Sequence, residues 1–312
     1  MTFEIRKNTG NGAPLGTEIL GVDLENLDDA TFAKIDEAFN ENHVLVFHDQ
    51  DLSPRAQVDL TARFGKPNVH VRSNEYGLPG YPPIHLITNF QEKGKSVGSA
   101  YAGTAWHSDL CFLLRPSRCS ILFAEEVPGL NPDGSTVGDT YFANAVRAYE
   151  TLPAPLKKIV ENRRGIFQYA RRQHLKHQAE KDLTGREDLS EAQKQQTPDV
   201  THPVVREHPI TGKKSLFINE NYAFSLTGMP EDEGRAVIQE IQAHITKPEF
   251  VYRHKWRTHD LLVWDNTAAQ HKASKDYSWP EHRRKMRHSA ALFPDSAYCG
   301  ELYVPQHERR AS

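Results

Sequence analysis

The sequence predicts a mainly β fold, a sandwich or barrel with helices packed at its edges. Three observations point there. Short runs rich in β-branched and apolar residues recur along the whole length and dominate the second half. The few stretches with apolar residues at helical spacing sit beside those runs. Strands and helices do not alternate regularly, which argues against a parallel doubly wound sheet.

In chain order, the spacing predicts strands at 17–24 and 43–48 around a helix at 29–40, whose Phe32, Ile35 and Phe39 share one side. Ser53 can cap a second helix that opens at Pro54 and ends near Gly65. Further strands are expected at 84–88, 117–125, 139–143, 204–208, 215–219, 250–256, 261–266 and 285–293. Helices are expected at 143–152, 154–162 and 231–244. Two stretches read as loops that can cover a site. Residues 91–103 are rich in glycine, lysine and small residues; 171–198 is charged and polar, with a solvated helix in its middle. No internal repeat or long low-complexity linker divides the chain, so one domain spanning 1–312 is the reading.

A chain of 312 residues can bury a substantial core without disulfides. A formal charge of −3 offers no basic surplus for nucleic acid or an anionic membrane. No apolar run has the length of a membrane span, and the first residues lack the apolar centre of a signal peptide. Cys111, Cys119 and Cys299 form no CxxC pair, which suits a reducing compartment. Cys111 reads as a small buried apolar residue rather than a ligand. Together these features describe a cytoplasmic, enzyme-sized protein.

The informative segment is Trp106-His107-Ser108-Asp109. A His-x-Asp pair in extended chain puts an imidazole and a carboxylate on one face, because strand side chains alternate. Alone it is weak. A buried run, 261–266, leads through a turn to His271. Two histidines and a carboxylate with open positions opposite is the ligand set of non-haem iron(II) oxygenases. In the run Arg283-Arg284-Lys285-Met286-Arg287-His288, a strand would put Arg284, Met286 and His288 on one face and Arg283, Lys285 and Arg287 on the other. Arg284 could then line a pocket and grip a carboxylate through two hydrogen bonds.

The sequence resembles the taurine dioxygenase and 2,4-dichlorophenoxyacetate dioxygenase family, along nearly its whole length. The resemblance rests on LGTEILGVDL (15–24), RFGKP (63–67), WHSDLCF (106–112), GDT (138–140), HPVVREHPITGKKSLFINE (202–220), ITKPEF (245–250), WDNTAAQHKASKDY (264–277) and RRKM (283–286), in that order. It implies a double-stranded β-helix, a cupin-like jelly roll. It implies Fe(II) held by His107, Asp109 and His271, with 2-oxoglutarate and O2 as co-substrates. It implies that Arg284 and Thr140 bind the far carboxylate of 2-oxoglutarate, and that a substrate is hydroxylated as succinate and CO2 leave. It also implies a homo-oligomer, dimer or tetramer.

The departures concern the substrate. His288 stands where taurine dioxygenase has an arginine for the sulfonate, and Gly103 where it has an asparagine; His70 keeps a matching histidine. The expected substrate contacts are His70, Tyr101, Phe167, Tyr169, Tyr222 and His288, each aromatic equally readable as core. They suit a small organic anion, aromatic in one reading, with carbon–heteroatom cleavage following hydroxylation where the attacked carbon bears such a group. Two alternatives stay open: a zinc hydrolase using the same ligands, which leaves Arg284 and Thr140 unexplained, and a non-catalytic ligand-binding relative.

Overall fold

In the computed structural model, the described residues are 3–8, 15–100, 102–184, 187–294 and 299–303. The backbone of the fold is a nine-stranded sheet. Its order is Glu4–Arg6, Thr17–Leu20, Val44–Phe47, Leu261–Asp265, Ser117–Glu126, Lys285–Leu292, Tyr81–Thr88 and Gly77–Leu78, with Lys66–Pro67 also pairing Lys285–Leu292. Its pairs are antiparallel except Thr17–Leu20 with Val44–Phe47. A three-stranded sheet, Val251–His254, Thr140–Asn144 and Ala269–Ala273, lies across its centre. A four-stranded sheet, Ala223–Leu226, Arg164–Phe167, Val200–Pro203 and Glu301–Leu302, extends the second layer.

The period-two pattern of the central strands explains the layering. Leu45, Phe47, Ile121, Phe123, Leu261 and Val263 face one way and pack with Ile35, Phe39, Leu60 and Phe64 from the helices Asp29–Asn42 and Pro54–Phe64. Val44, Val46, Leu122, Ala124, Leu262 and Trp264 face the other way and meet Phe142 and Ala269 of the small sheet. Each central strand is therefore buried on both faces, which is why these segments read as continuous apolar runs rather than alternating ones. Both helices start as the sequence predicts. Ser53 accepts from the Ala56 amide with Pro54 at the first turn, and Asp28 accepts from the Thr31 amide. A third helix, Glu231–Ile245, packs Ile238, Ile241 and Ile245 into the core beside Phe217 and Leu226.

Several expected elements shorten. The strand at 17–24 stops at Leu20 and the one at 215–219 is Lys214–Leu216, after which Phe217–Asn219 are buried without a ladder. Four strands of four or more residues were not legible, Arg164–Phe167, Val200–Pro203, Ala223–Leu226 and Ala269–Ala273, nor were the short strands Glu4–Arg6, Lys66–Pro67, Gly77–Leu78 and Glu301–Leu302. Ala269–Ala273 reads AQHKA, with no β-branched residue; pairing along Thr140–Asn144 makes it a strand, not its own propensity. Residues 171–198, expected as a loop around a helix, are mostly helical, as Tyr169–Thr184 and Glu191–Gln196. Residues 91–103 contain a small hairpin, Gln91–Glu92 with Lys95–Ser96. Among the described residues, no helix is long and apolar enough to cross a membrane.

Candidate active site

His107 and His271 face each other across a two-residue bridge. The His107 amide donates to the His271 carbonyl (3.0 Å), and the His271 amide to the His107 carbonyl (2.8 Å). This bridge sets the two rings 4.2 Å apart, centroid to centroid. Asp109 arrives from the same segment. Its Oδ1 lies 3.4 Å from His107 Nε2 and its Oδ2 3.7 Å from His271 Nε2. Among the described residues, these three form the group of His, Cys, Asp or Glu side chains whose ligand atoms all lie within 4.8 Å of one another.

Neighbouring groups fix each donor. His107 Nδ1 lies 2.8 Å from the Ala105 carbonyl, which can only accept, so the proton sits on Nδ1 and Nε2 keeps its lone pair. Burial first, and the His107 ring beside it, push His271 down to about 3, leaving a neutral imidazole. Burial opposes ionisation of Asp109, but the imidazoles of His271 and His288, with His107 beside them and a hydrogen bond from His288, hold it well below the usual carboxylate range. Neutral imidazoles and an ionised carboxylate are the forms that bind a divalent metal. Ser120 Oγ donates to Asp109 Oδ2 at 2.7 Å, and His288 Nε2 lies 3.2 Å from the same oxygen. Asn266 ties these groups together: its Oδ1 accepts the Asp109 amide (2.9 Å) and its Nδ2 donates to Ser120 Oγ (2.9 Å).

The pocket below this group encloses about 960 Å³, part of it open to solvent, and its walls include Leu122, Trp264, Thr140 and Arg284. Arg284 is 2% exposed. Asn89 exchanges two hydrogen bonds with its backbone, and its guanidinium lies 5.5 Å from the Tyr277 ring centroid. No acidic group pairs with that guanidinium among the described residues, and its Nε has no hydrogen-bond partner. A buried cation without a counter-ion is costly unless an anion arrives. Thr140 is the complementary donor. Its Oγ1 accepts from Trp256 Nε1 (2.9 Å), which leaves the hydroxyl proton for a ligand in the pocket. Gly138 gives the cation room: with φ +74°, a Cβ there would lie 3.4 Å from Arg284 Cδ and Nε. The residues present fit a metal ion and a carboxylate-bearing co-substrate.

The face assignment of residues 284–288 holds. Arg284 and His288 line the pocket, while Arg287 turns to the other side, pairs with Glu125 at 3.0 Å and covers Phe123. His70, Tyr222 and His288 border the pocket, and Tyr169 borders a second compartment beside it. Phe167 does not. It is fully buried against His202 and Phe217, because its strand is the second layer's inner strand, so it is a core residue and not a substrate contact. Tyr101 lies outside the described residues. Cys111 is buried, accepts from Asn219 Nδ2 at 3.4 Å, has its thiol pushed up to about 12 by burial, and stands outside the group of three donors. Sequence reasoning missed Ser120, Asn266, Trp256 and Asn89, and also His85, which lines the pocket. For Ser120 and His85 a signal existed, since each is a polar residue inside an expected apolar strand; for the others, partnership across the fold was invisible.

Three metal donors in one pocket with a buried guanidinium that meets no carboxylate among the described residues serve one kind of catalyst well: a dioxygenase that takes a 2-oxo dicarboxylic acid as co-substrate. Fold and site together place the chain in that class. The family model described as "Taurine catabolism dioxygenase TauD, TfdA family" matches residues 4–290, and the chain belongs to that family. It is 34% identical over 285 residues to the alpha-ketoglutarate-dependent 2,4-dichlorophenoxyacetate dioxygenase of Cupriavidus pinatubonensis, covering 87% of this chain and 92% of that one. An alkylsulfatase of Acinetobacter baylyi is 31% identical, with 90% and 82% covered. Among solved structures, a taurine dioxygenase from Burkholderia xenovorans superposes with a TM-score of 0.73 at 26% identity, covering 98% and 97%. AAD-2 in complex with Mn(II) and N-oxalylglycine does so at 0.72 and 26%, covering 95% and 100%. The chain is thus an oxidoreductase of the 2-oxoglutarate-dependent dioxygenases, with a cupin-like β-sandwich, a metal site, and 2-oxoglutarate and O2 as co-substrates.

Proposed function

We propose that this dioxygenase uses Fe(II), held by His107, Asp109 and His271, to hydroxylate a small organic anion with release of succinate and CO2. The carrying observation is the buried Arg284 guanidinium, unpaired among the described residues, in the same pocket as the three donors. When bound, the metal and 2-oxoglutarate supply the oxidising power for breaking a substrate C–H bond. The protein supplies aim and dryness. Arg284 grips the distal carboxylate of 2-oxoglutarate through paired N–H groups, and Thr140 adds its hydroxyl. Ser120 and His288 occupy Asp109 Oδ2 and leave Oδ1 as the ligand oxygen. Phe112, Leu122 and Trp264 keep water from the reacting carbon. Where the hydroxylated carbon carries a heteroatom group, the product collapses and that group leaves. Relatives named for 2,4-dichlorophenoxyacetate and for sulfate esters support an anionic substrate.

The reading extends to a single domain over 1–312 in a double-stranded β-helix. Segments 91–103 and 171–198 serve as lids, supported by Gly103 and Arg172 at the pocket mouth. The family resemblance adds a homo-oligomer, and the cysteine usage a cytoplasmic setting. Anaerobic addition of 2-oxoglutarate to Fe(II)-loaded protein is expected to produce a visible charge-transfer absorption. Succinate formation, screened across sulfonates, sulfates, phosphonates, aryloxy acids and aromatic carboxylates, then finds the substrate. Tightly held zinc, with hydrolysis independent of 2-oxoglutarate, would refute the reading.

A further inference from the structure

The pocket opens beside His107 and Tyr222 into a second compartment, floored by the helix Tyr169–Thr184. Arg72, Arg172 and Lys176 line it, and among its described lining residues there is no Asp or Glu. Arg72 is already engaged: its Nη1 donates to Glu75 at 2.6 Å and its Nη2 to the Glu187 carbonyl at 3.0 Å. Arg172 differs. Its Nε donates to Asn221 Oδ1 at 2.6 Å, and no carboxylate pairs with its guanidinium among the described residues. That one bond fixes the plane of the group and leaves both terminal nitrogens for a ligand. Asn221 adjoins Tyr222, whose ring centroid lies 6.3 Å from that of His107. The cation and the ring that borders the metal donors are therefore held by one turn of chain. Lys176, one helical turn after Arg172, falls on the same helix face.

Among the described residues that line the main pocket, Arg284 is the one arginine or lysine. Arg284 belongs to the co-substrate in the reading above. Position 288, where taurine dioxygenase grips a sulfonate with arginine, carries an imidazole engaged with Asp109. We propose that Arg172 anchors the anionic end of an elongated substrate. The apolar body of that substrate passes Tyr222 and Phe112 toward the metal, so that oxidation falls on a carbon remote from the charge. The ligand chemistry is an organic oxyanion, carboxylate or sulfonate. This inference rests on the dioxygenase reading.

The test uses the full chain loaded with Mn(II) and N-oxalylglycine, titrated by calorimetry with 4-phenylbutyrate, 4-phenylbutane-1-sulfonate and the neutral 4-phenylbutanamide. The wild type is expected to bind at least one oxyanion about tenfold or more tightly than the amide, the scale of one charge-assisted hydrogen bond. The preferred oxyanion identifies the head group. Arg172→Gln should erase the preference, and Arg172→Lys should keep part of it. A wild type without preference, or a full preference surviving in Arg172→Gln, overturns the assignment. Binding of N-oxalylglycine itself depends on Arg284 and the metal donors, not on Arg172. Its loss in the wild type would mark failure of the dioxygenase reading instead.

Discussion

Replacing Arg284 by methionine separates two consequences that a merely structural arginine would not separate. In the protein without co-substrate, Arg284 is 2% exposed, and its guanidinium packs near Tyr277 and meets no acidic group among the described residues. Removing an uncompensated buried charge while keeping an apolar stem should leave stability unchanged or raise it by about 1–2 kcal/mol, a rise in Tm of roughly 2–4 °C per kcal/mol in chains somewhat shorter than this one. With co-substrate the sign reverses. Two charge-assisted hydrogen bonds of roughly 1.5–3 kcal/mol each are lost, and allowing for non-additivity the net is about 3 kcal/mol. That corresponds to about a hundredfold rise in the 2-oxoglutarate KM. Arg284→Lys keeps the charge without the fork and should fall between. Thermal melts with and without Mn(II) and N-oxalylglycine read the first effect, and succinate kinetics the second. A methionine variant that melts far below the wild type without ligand, or whose 2-oxoglutarate KM moves less than twofold, would refute the account of Arg284.

Gly138→Ala forces a side chain into a left-handed position 3.1 Å from Pro128 Cγ and 3.4 Å from Arg284; a loss of roughly 1–3 kcal/mol should show in urea midpoints, with a several-fold higher 2-oxoglutarate KM. Ser120→Ala frees one bond on Asp109 Oδ2 and should weaken metal affinity roughly 10–100-fold, measured by competition with a chelator. Phe167→Ala should cost roughly 3–5 kcal/mol of stability while the ranking of substrates by kcat/KM stays as in the wild type. Burial alone would raise the Asp260 carboxyl, but hydrogen bonds from His254 and His48 and the Arg257 amide hold it down at about 2, against 3.8 when unfolded. Its folded form gains stability that is complete above the unfolded value and lost as pH falls from about 4 toward 2, on the order of 2 kcal/mol. Asp260→Asn should therefore lie below the wild type in urea midpoint at pH 7, with the gap closing below pH 4.

What the sequence disclosed depended on how local its cause was. Ser53 with Pro54 and the spacing of Phe32, Ile35 and Phe39 act within one helix, and those helices appear where expected. The face division of residues 284–288 needs only strand alternation, and Arg284 and Arg287 do point to opposite sides. His271 was found through its ordered neighbours, although its strand carries no strand-forming residue and exists because Thr140–Asn144 lies beside it. Phe167 misled because an aromatic in a short apolar strand looks alike whether its ring meets ligand or core. The neighbours that decide it, His202 and Phe217, lie 35 and 50 residues further on.

The same alternation that builds the core also sorts the polar residues of the site. Ser120, Leu122 and Ala124 follow one another on the inner face of a single strand, so a hydroxyl for Asp109, a pocket wall and sandwich packing come from one register. Directly opposite, Leu122 pairs with His288, and His288 in turn pairs with His85, so the row crosses three strands and ends at the pocket rim. A one-residue slip of Ser117–Glu126 would turn Ser120 outward and bring Ile121 to the metal side, and the same slip of Lys285–Leu292 would turn His288 outward and bring Arg287 in. Site and core are therefore not independent achievements of this sequence. The register that buries Ile121 and Phe123 under the two helices is the one that leaves Asp109 Oδ2 with two donors, and stability selects the geometry on which the chemistry relies.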